Sequence, residues 1–159
     1  MEYQIFPLAS YPHYSGAVAE RTYRLWGRLI YEDTGMSASD FIQVVQSRAV
    51  TDRIPLTLIA LAGDELAGMV SLKQHEAITD AALSPWIGGL LVEDAWRGKG
   101  LGAALLAQAE AAAIGLGHPV LYLSCEADVE HFYARLGWEC MARKQSCGDE
   151  VAVMKKRLA

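Results

Sequence analysis

Residues 87–106 read IGGLLVEDAWRGKGLGAALL, and this stretch decides the fold. It begins with an apolar run of strand length, Ile87 to Val92, which is followed by a segment polar enough for a loop, Glu93 to Trp96. The next apolar residues recur with the period of a helix, at Leu101, Leu105, Ala109, Ala112 and Leu116. The stretch therefore predicts a strand, a loop and a helix that opens at the glycine cluster.

A basic glycine cluster, Arg97 to Gly102, lies where the predicted helix begins. The first turn of a helix has free backbone N–H groups and the positive end of the helix dipole, and glycines allow a bulky anion to approach them. Arg97 and Lys99 add positive charge at this point, in a chain whose formal net charge is -5. We therefore interpret the cluster as a pyrophosphate-binding loop.

Two common phosphate-binding motifs differ from this cluster. The cluster lacks the Gly-Lys-Ser/Thr ending of a P-loop, so it offers no hydroxyl group for magnesium. Gly98, Gly100 and Ala103 satisfy the dinucleotide-binding pattern, and Glu126 follows at a distance suited to a ribose contact. In that fold the first glycine directly follows the strand, whereas residues 93–97 intervene here. The missing hydroxyl residue argues against a P-loop, and the longer connection argues against the dinucleotide-binding motif.

A third pattern accounts for the longer loop. Arg97 is followed by Gly100 and Gly102 in an Arg-x-x-Gly-x-Gly arrangement, and Val92 ends the strand five residues before the arginine. This arrangement resembles the acyl-CoA signature of the GNAT superfamily of N-acetyltransferases.

A second match to the same superfamily follows in the expected order. A predicted strand at 120–124 precedes the segment FYARLGW at 132–138, which looks like the superfamily's late helix with its Phe-Tyr-x-x-x-Gly-aromatic ending. The specific resemblance covers about residues 54–144. Two motifs in the expected order are stronger evidence for the superfamily than one motif alone.

The resemblance implies an acetyl-CoA-dependent enzyme that acetylates a primary amine of a small molecule or peptide by direct attack. The pantetheine arm would lie along the strand, and the backbone N–H of Val92 would stabilise the oxyanion. The residues that the resemblance places on the cofactor are Leu90, Leu91, Val92, Arg97, Gly98, Lys99, Gly100, Leu101 and Gly102. Gly88 and Gly89 fit this reading, because glycine weakens a strand unless a backbone or ligand comes close.

Tyr133 occupies the position of the superfamily's thiolate-protonating tyrosine. A phenol is a reasonable acid toward a departing thiolate, although an aromatic residue on an amphipathic helix also fits a purely packing role. His131 lies two residues away, about 200° around the helix, and is predicted to be a surface residue. Many relatives have an asparagine where this chain has Glu126, so the chain departs from the pattern there.

The general base is left open by the sequence. The strand position at which several relatives carry a glutamate is Trp86, which with Pro85 forms either an aromatic wall for the substrate or part of the core. We therefore predict that a water molecule relays the proton. The residues expected near such a water are His75, Asp80, Ser84 and Ser124.

The three cysteines lack paired metal-ligand spacing, so no metal site is predicted. Cys125 lies just past a strand and invites interpretation as a nucleophile, but it has no histidine at a defined spacing. Cys140 and Cys147 are expected to face each other loosely in the last hairpin.

Length and composition predict one domain, 1–159. A hydrophobic content of 52% and a charged content of 21% are typical of compact globular chains, and there is no uncharged apolar run long enough to cross a membrane. The N-terminus lacks a secretory leader, so we expect a cytoplasmic protein. The acidic balance, with a pI of about 5.3, argues against nucleic-acid binding and is compatible with a cationic substrate.

The predicted element order is β, α, α, β, β, β, α, β, α, β, β, which indicates an α/β fold with a mixed sheet. The resemblance implies a GNAT-like, mostly antiparallel central sheet of about seven strands flanked by about four helices, with a splayed cleft between the fourth and fifth strands. The predicted elements lie at about 2–9, 16–32, 38–51, 56–61, 67–73, 87–92, 99–116, 120–124, 128–136, 138–144 and 151–157. Ser15 is a predicted cap of the first helix, on which Val18, Leu25 and Leu29 share a face. Ser37 and Asp40 predict a capping box at the second helix, and Gly63 with Asp64 predicts a hairpin turn.

Two alternative functions and the oligomeric state remain open at this point. The chain could be a relative that modifies proteins or tRNA, or a sensor that binds acyl-CoA without catalysis. Exposed strands at both ends of the sheet make a homodimer plausible.

Overall fold

The computed structural model describes residues 2–76, 82–146 and 148–158. Its strands and helices follow the predicted order along the chain. They are β1 Gln4–Pro7, α1 Ser15–Thr34, α2 Ala38–Ser47, β2 Leu56–Ala62, β3 Glu65–Lys73, β4 Trp86–Val92, α3 Leu101–Gly115, β5 Val120–Glu126, α4 Glu130–Arg135, β6 Glu139–Ser146 and β7 Asp149–Arg157. Short 3-10 turns lie at Leu8–Ser10, Pro12–Tyr14, Asp94–Trp96 and Ala127–Val129.

The strands form one seven-stranded sheet in the order β1-β2-β3-β4-β5-β7-β6. Neighbouring strands are antiparallel except β4 and β5, which are parallel and share one registered pair, Trp86 with Tyr122. The N–H of Tyr122 donates to the carbonyl of Pro85 at 3.1 Å. The two strands are therefore joined near their beginnings and separate toward their ends, which confirms the predicted splayed cleft.

Helices cover the two faces of the sheet unequally. Helix α3 crosses from β4 to β5 and packs its apolar residues, with Phe132 and Tyr133 of α4, on one face. Helices α1 and α2 cover the other face over β1 to β3, through Val18, Phe41 and Val45 against Ile59 and Met69.

A bulge interrupts β4 at Gly89 and Leu90. The registered pairs Ser71 with Gly88 and Met69 with Leu91 leave one residue of β3 opposite two of β4. Gly89 has φ +60°, a conformation that favours glycine. A Cβ on Gly88 would lie 2.5 Å from Cδ of Lys73. The Lys73 side chain therefore explains the glycine at 88, and the bulge explains the glycine at 89.

The helix starts were predicted with mixed success. Ser37 and Asp40 form the predicted capping box, because each side chain accepts the other's backbone N–H at 3.2 Å. The predicted cap at Ser15 is wrong, because Ser15 is the first residue of α1 and its Oγ donates to the Pro12 carbonyl at 2.7 Å.

Several element ends also differ from the prediction. Strand β1 stops at Pro7, after which the chain forms a 3-10 turn. Helix α2 ends at Ser47 rather than near residue 51, and the Arg48 carbonyl accepts the N–H of Thr57 at 3.1 Å. The predicted helix 128–136 divides into a 3-10 turn and α4. The periodicity of apolar residues carries no information about the hydrogen bonds at which these elements end.

The leucines predicted on one face of α1 do not share one environment. Val18 is buried, whereas Leu25 is 53% exposed and Leu29 is also exposed. The face that contacts the sheet runs instead through residues such as Ala19 and Trp26, so the two leucines lie beside it. None of the helices in the described ranges combines the length and hydropathy needed to cross a membrane.

Candidate functional site

The start of α3 has the geometry expected of an anion-binding loop. Gly98 and Gly100 have φ +72° and +82°, and Gly100 is the N-cap residue. No side chain caps this end of the helix, and the N–H of Ala104 makes the first helical bond, to the Gly100 carbonyl at 3.1 Å. A Cβ on Gly98 or Gly100 would meet nothing within 4 Å. The free N–H groups therefore lie beside open space.

The two predicted cations flank this loop but contact the protein. Nε of Arg97 lies 3.3 Å from the Val92 carbonyl oxygen and 3.3 Å from Oδ1 of Asp94. Nζ of Lys99 lies 5.2 Å from the centre of the Trp96 ring, in a cation–π contact. Both side chains are exposed, and both add positive charge next to the glycines.

The end of β4 offers its backbone to the cleft. The N–H of Glu93 donates to the Ala67 carbonyl of β3 at 2.9 Å. Because backbone groups alternate in direction along a strand, the N–H of Val92 points away from β3, toward the space between β4 and β5. The side chain of Leu91 is buried on the α1 side, and those of Leu90 and Val92 pack on the α3 side.

Three of the predicted site elements meet at Phe132. A Cβ on Gly102 would lie 3.4 Å from Cζ of Phe132 and 3.8 Å from Cγ2 of Val92. The structure therefore brings the start of α3, the end of β4 and α4 together at one point.

Tyr133 is partly buried on α4. Its ring makes edge contacts with Phe132 at 5.1 Å and Trp138 at 6.5 Å between centroids. Burial raises the pKa of Tyr133 to about 12, and Cys125 adds to the increase. The phenol is therefore protonated at neutral pH, and the packing of its ring leaves the role of the hydroxyl a prediction.

Cys125 lacks the properties of a nucleophile. The residue is 8% exposed, and its Sγ lies 3.7 Å from Sδ of Met154. Burial raises the pKa of Cys125 to about 11, with a further contribution from Glu130. Because the thiolate is the reactive form, we reject the nucleophile interpretation. Cys140 is exposed, and Cys147, its predicted neighbour, lies outside the described residues.

Three of the four residues considered for base catalysis are described, and they lie on different parts of the chain. His75 is exposed, and Oγ of Ser84 donates to Oε1 of Gln74 at 3.2 Å. Ser124 is partly buried on β5, and by strand alternation it shares a face with Tyr122. Asp80 lies outside the described residues. His131 is exposed as predicted, and Glu126 is exposed at the end of β5.

Trp86 belongs to the core. It is 0% exposed, its Nε1 donates to the Leu83 carbonyl at 2.7 Å, and its ring lies 5.4 Å from that of Tyr122. The interpretation of Trp86 as a substrate wall is therefore wrong, because the indole has no face open to a ligand.

A charged cluster beside β4 was not predicted. Nζ of Lys73 pairs with Oε1 of Glu76, and that oxygen lies 3.5 Å from the position of a Cβ on Gly88. Arg48 interacts electrostatically with Glu76. Lys73 and Glu76 are close in sequence, but the pairing of β3 with β4 places them beside Gly88, and no local pattern could have revealed that position.

Cavity size does not by itself identify the site. A cavity of about 300 Å³ lies between α1 and the end of β4, lined by Arg24, Leu25, Leu91, Val92, Glu93, Asp94 and Arg97. A cavity of about 500 Å³ near β1 is lined by none of the predicted site residues. The smaller cavity contains Val92 and Arg97, so it adjoins the predicted cofactor path. Over residues 2–76, 82–146 and 148–158, no group of three or more His, Cys, Asp or Glu residues could hold a metal ion.

Comparisons with known proteins agree with this arrangement. A sequence model described as the acetyltransferase (GNAT) family matches residues 19–138, well over half of the chain. A search of curated proteins gives no match.

Solved structures resemble the whole chain. A protein from Lactobacillus plantarum assigned as an N-acetyltransferase is 24% identical, with 100% of both chains covered and a TM-score of 0.68. The yncA protein of Salmonella typhimurium, assigned as an acetyltransferase and solved with acetyl-CoA, is 17% identical, with 100% of this chain and 95% of that one covered and a TM-score of 0.73. An aminoglycoside 6'-N-acetyltransferase complexed with coenzyme A is 16% identical, with 100% and 98% covered and a TM-score of 0.73. The TM-scores show that these proteins share the fold of this chain.

Proposed function

Because the chain belongs to the acetyltransferase (GNAT) family, we propose that it transfers an acetyl group from acetyl-CoA to a primary amine of a small molecule or peptide. One observation carries the proposal. The uncapped start of α3, open at Gly98 and Gly100, adjoins the end of β4 at the cleft between β4 and β5. Free N–H donors for a pyrophosphate are thus next to a gap in the sheet that could admit a pantetheine arm.

The residues of the loop would hold the phosphates. The backbone N–H groups of Leu101 and Gly102 lack helical partners, and Gly98 and Gly100 keep the approach open. Arg97 and Lys99 would supply positive charge after leaving their contacts with Asp94 and Trp96.

The residues of the cleft would act on the thioester. Leu90, Leu91 and Val92 would border the pantetheine arm, and the N–H of Val92 would donate to the carbonyl oxygen as negative charge develops there. The amine nitrogen forms the new bond to the carbonyl carbon, and the carbon–sulfur bond breaks. The amine would lose its proton to a water molecule, and Tyr133 would donate its hydroxyl proton to the departing sulfur and regain a proton from solvent.

The acceptor is the least defined part of the proposal. The aminoglycoside 6'-N-acetyltransferase among the structural neighbours makes aminoglycosides a first class to test. Amino acids, polyamines and peptide N-termini complete a panel of primary amines.

Calorimetric titration with acetyl-CoA, with NADH and ATP as controls, tests the loop first. We expect acetyl-CoA to bind and both controls to fail. Binding of NADH in place of acetyl-CoA would instead support a dinucleotide site.

Release of free thiol in the presence of the amine panel then tests transfer. We expect at least one amine to accelerate thiol release and to gain an acetyl group by mass spectrometry. Tight acetyl-CoA binding without transfer to any amine, peptide or RNA would favour a non-catalytic sensor.

A further inference from the structure

The smaller cavity, of about 300 Å³, lies on the α1 side of the end of β4. Two alternate residues point to that side, because Leu91 packs in the core beneath α1 and α2 and Glu93 contacts an arginine of α1. Val92 lies between them in sequence and also lines the cavity. The cavity therefore reaches the residue whose backbone N–H is the proposed oxyanion donor.

The charged side chains that line this cavity are paired with other side chains. Oε1 of Glu93 lies 3.3 Å from Nε of Arg21 and 3.5 Å from a terminal guanidinium nitrogen of Arg24. Nε of Arg97 lies 3.3 Å from Oδ1 of Asp94. Among the described lining residues, two arginines thus balance two carboxylates. The other lining residues are apolar, namely Leu25, Leu91 and Val92.

Leu25 belongs to a stripe of α1 that faces the end of β4. Arg21, which contacts Glu93, lies one turn before Leu25, and Leu29 lies one turn after it. The two leucines are 53% and 43% exposed, whereas apolar residues on the adjacent face of α1 pack on the sheet. Leu25 and Leu29 therefore form an apolar strip that begins at the cavity and continues along the surface of the helix.

We propose that this cavity binds an apolar group of the acceptor and thereby selects primary amines that carry an alkyl or aryl group; this inference rests on the proposed function. A ligand that covers the exposed part of Leu25 removes apolar surface from water, which favours binding. A volume of about 300 Å³ is at the lower end for small-molecule sites and suits a small group. Because Val92 lines the same cavity, the amine attached to that group lies beside the proposed thioester position.

The paired charges disfavour a polycationic acceptor at this point. Glu93 is already engaged by two arginines, and the side chain of Asp94 is 94% exposed, so a pair that it forms is weakened by water. A second ammonium group on the acceptor gains little here, and an apolar group gains more.

A series of linear alkylamines, from ethylamine to hexylamine, tests this selection. Every member carries the same ammonium group, so only the apolar length changes. Putrescine, which is butylamine with a second amine at its far end, is the polycationic comparison. Thiol release at saturating acetyl-CoA gives kcat and KM for each amine.

Leu25→Gln and Ile114→Gln form a matched pair of variants. Both replace an exposed apolar residue of a helix by glutamine, but Ile114 lies on α3, is 48% exposed and does not line this cavity. Glutamine is a good helix former, so both variants should fold, which thermal unfolding verifies. Calorimetric titration measures the acetyl-CoA affinity of each variant.

We expect kcat/KM of the wild-type protein to rise by about two- to fourfold per added methylene until the cavity is filled, because each methylene leaves water. Putrescine should be a poorer acceptor than butylamine. Leu25→Gln should lower kcat/KM for hexylamine by roughly five- to tenfold, mainly through KM, and weaken the dependence on chain length. Ile114→Gln should behave as the wild-type protein does, and acetyl-CoA affinity should stay unchanged in both variants.

Three results would overturn the inference while leaving acetyl transfer intact. The first is a kcat/KM that is independent of chain length or higher for putrescine than for butylamine. The second is a loss of acetyl-CoA affinity in Leu25→Gln, which would assign the cavity to the cofactor. The third is a changed oligomeric mass of that variant by light scattering, with an unaltered dependence on chain length, which would assign the leucines to a contact between copies of the chain.

The proposed function fails by a different result. A wild-type protein that does not bind acetyl-CoA, or that acetylates neither the alkylamines nor any other amine of the panel, would refute acetyl transfer itself. The failure of the inference and the failure of the proposed function are therefore distinguishable.

Discussion

At the scale of single residues, Tyr133 combines a packed ring with a hydroxyl group of proposed function. The ring contacts Phe132 and Trp138, which explains an aromatic residue here without any chemistry. The raised pKa keeps the phenol neutral, so it can donate a hydrogen bond, while the same burial disfavours the tyrosinate that complete proton transfer would produce.

Tyr133→Phe separates the two roles, because phenylalanine keeps the ring and removes the hydroxyl. We expect kcat to fall by roughly a hundredfold or more, as for other general acids, while acetyl-CoA affinity stays unchanged. Thiol release and calorimetric titration measure the two quantities. Unchanged turnover would show that Tyr133 only packs.

Alkaline pH provides an independent measure of the Tyr133 environment. The folded-state pKa of about 12 is raised above the ordinary value of 10.0, so the neutral phenol stabilises the fold below pH 10. That contribution is lost as the pH rises through the folded-state pKa, and it amounts to at most about 2–3 kcal/mol.

Urea unfolding of the wild-type protein and Tyr133→Phe at pH 9 and pH 11 tests this linkage. The wild-type protein should lose more unfolding free energy over that interval than the variant does. Comparing the two proteins cancels the ionisation of Cys125, whose pKa is also raised. Equal losses would contradict the buried environment of the phenol.

At the scale of secondary-structure elements, the loop before α3 depends on backbone conformation. Gly100 has φ +82° and open space around its missing Cβ, so a substitution there meets strain from the backbone and no steric clash. Asparagine and aspartate tolerate this conformation better than other side chains. They differ from each other in charge.

Gly100→Asp and Gly100→Asn therefore form a matched pair. We expect acetyl-CoA to bind Gly100→Asp roughly tenfold more weakly than Gly100→Asn, because the carboxylate repels the pyrophosphate. The difference should shrink at high salt. Equal acetyl-CoA affinities of the two variants, measured by titration, would contradict the interpretation of the loop as a pyrophosphate-binding site.

At the scale of the whole molecule, the sheet is weakly joined at its centre. Strands β4 and β5 share the pair Trp86 and Tyr122, and elsewhere α3 and the α3-side core connect the two halves. The same separation that opens the cleft leaves the facing backbone groups of β4 and β5 without strand partners.

Hydrogen exchange should show this asymmetry. The amide of Val92, which faces the cleft, should exchange faster than that of Ile59, which lies in β2 between β1 and β3. Acetyl-CoA should slow exchange at Val92 and leave Ile59 unchanged. Strong protection of Val92 in the free protein would contradict its orientation toward the cleft.

The sequence by itself determined the elements that depend on local patterns. Periodicity and turn residues predicted the order of strands and helices, the hairpin turn at Gly63 and Asp64, and the glycine loop at the start of α3. Each of these signals arises within one turn or one helix face, so no distant contact is needed to recognise it.

Tertiary structure alone decided what lies beside the cleft. Glu76 reaches Gly88 because β3 and β4 pair with a particular register, Trp86 turns into the core, and Leu25 and Leu29 lie off the buried face of α1. A shift of one residue in strand register reverses the face on which every side chain lies. Pairing between distant segments sets that register, which is why the sequence predicted the glycine loop but missed the charged cluster beside β4.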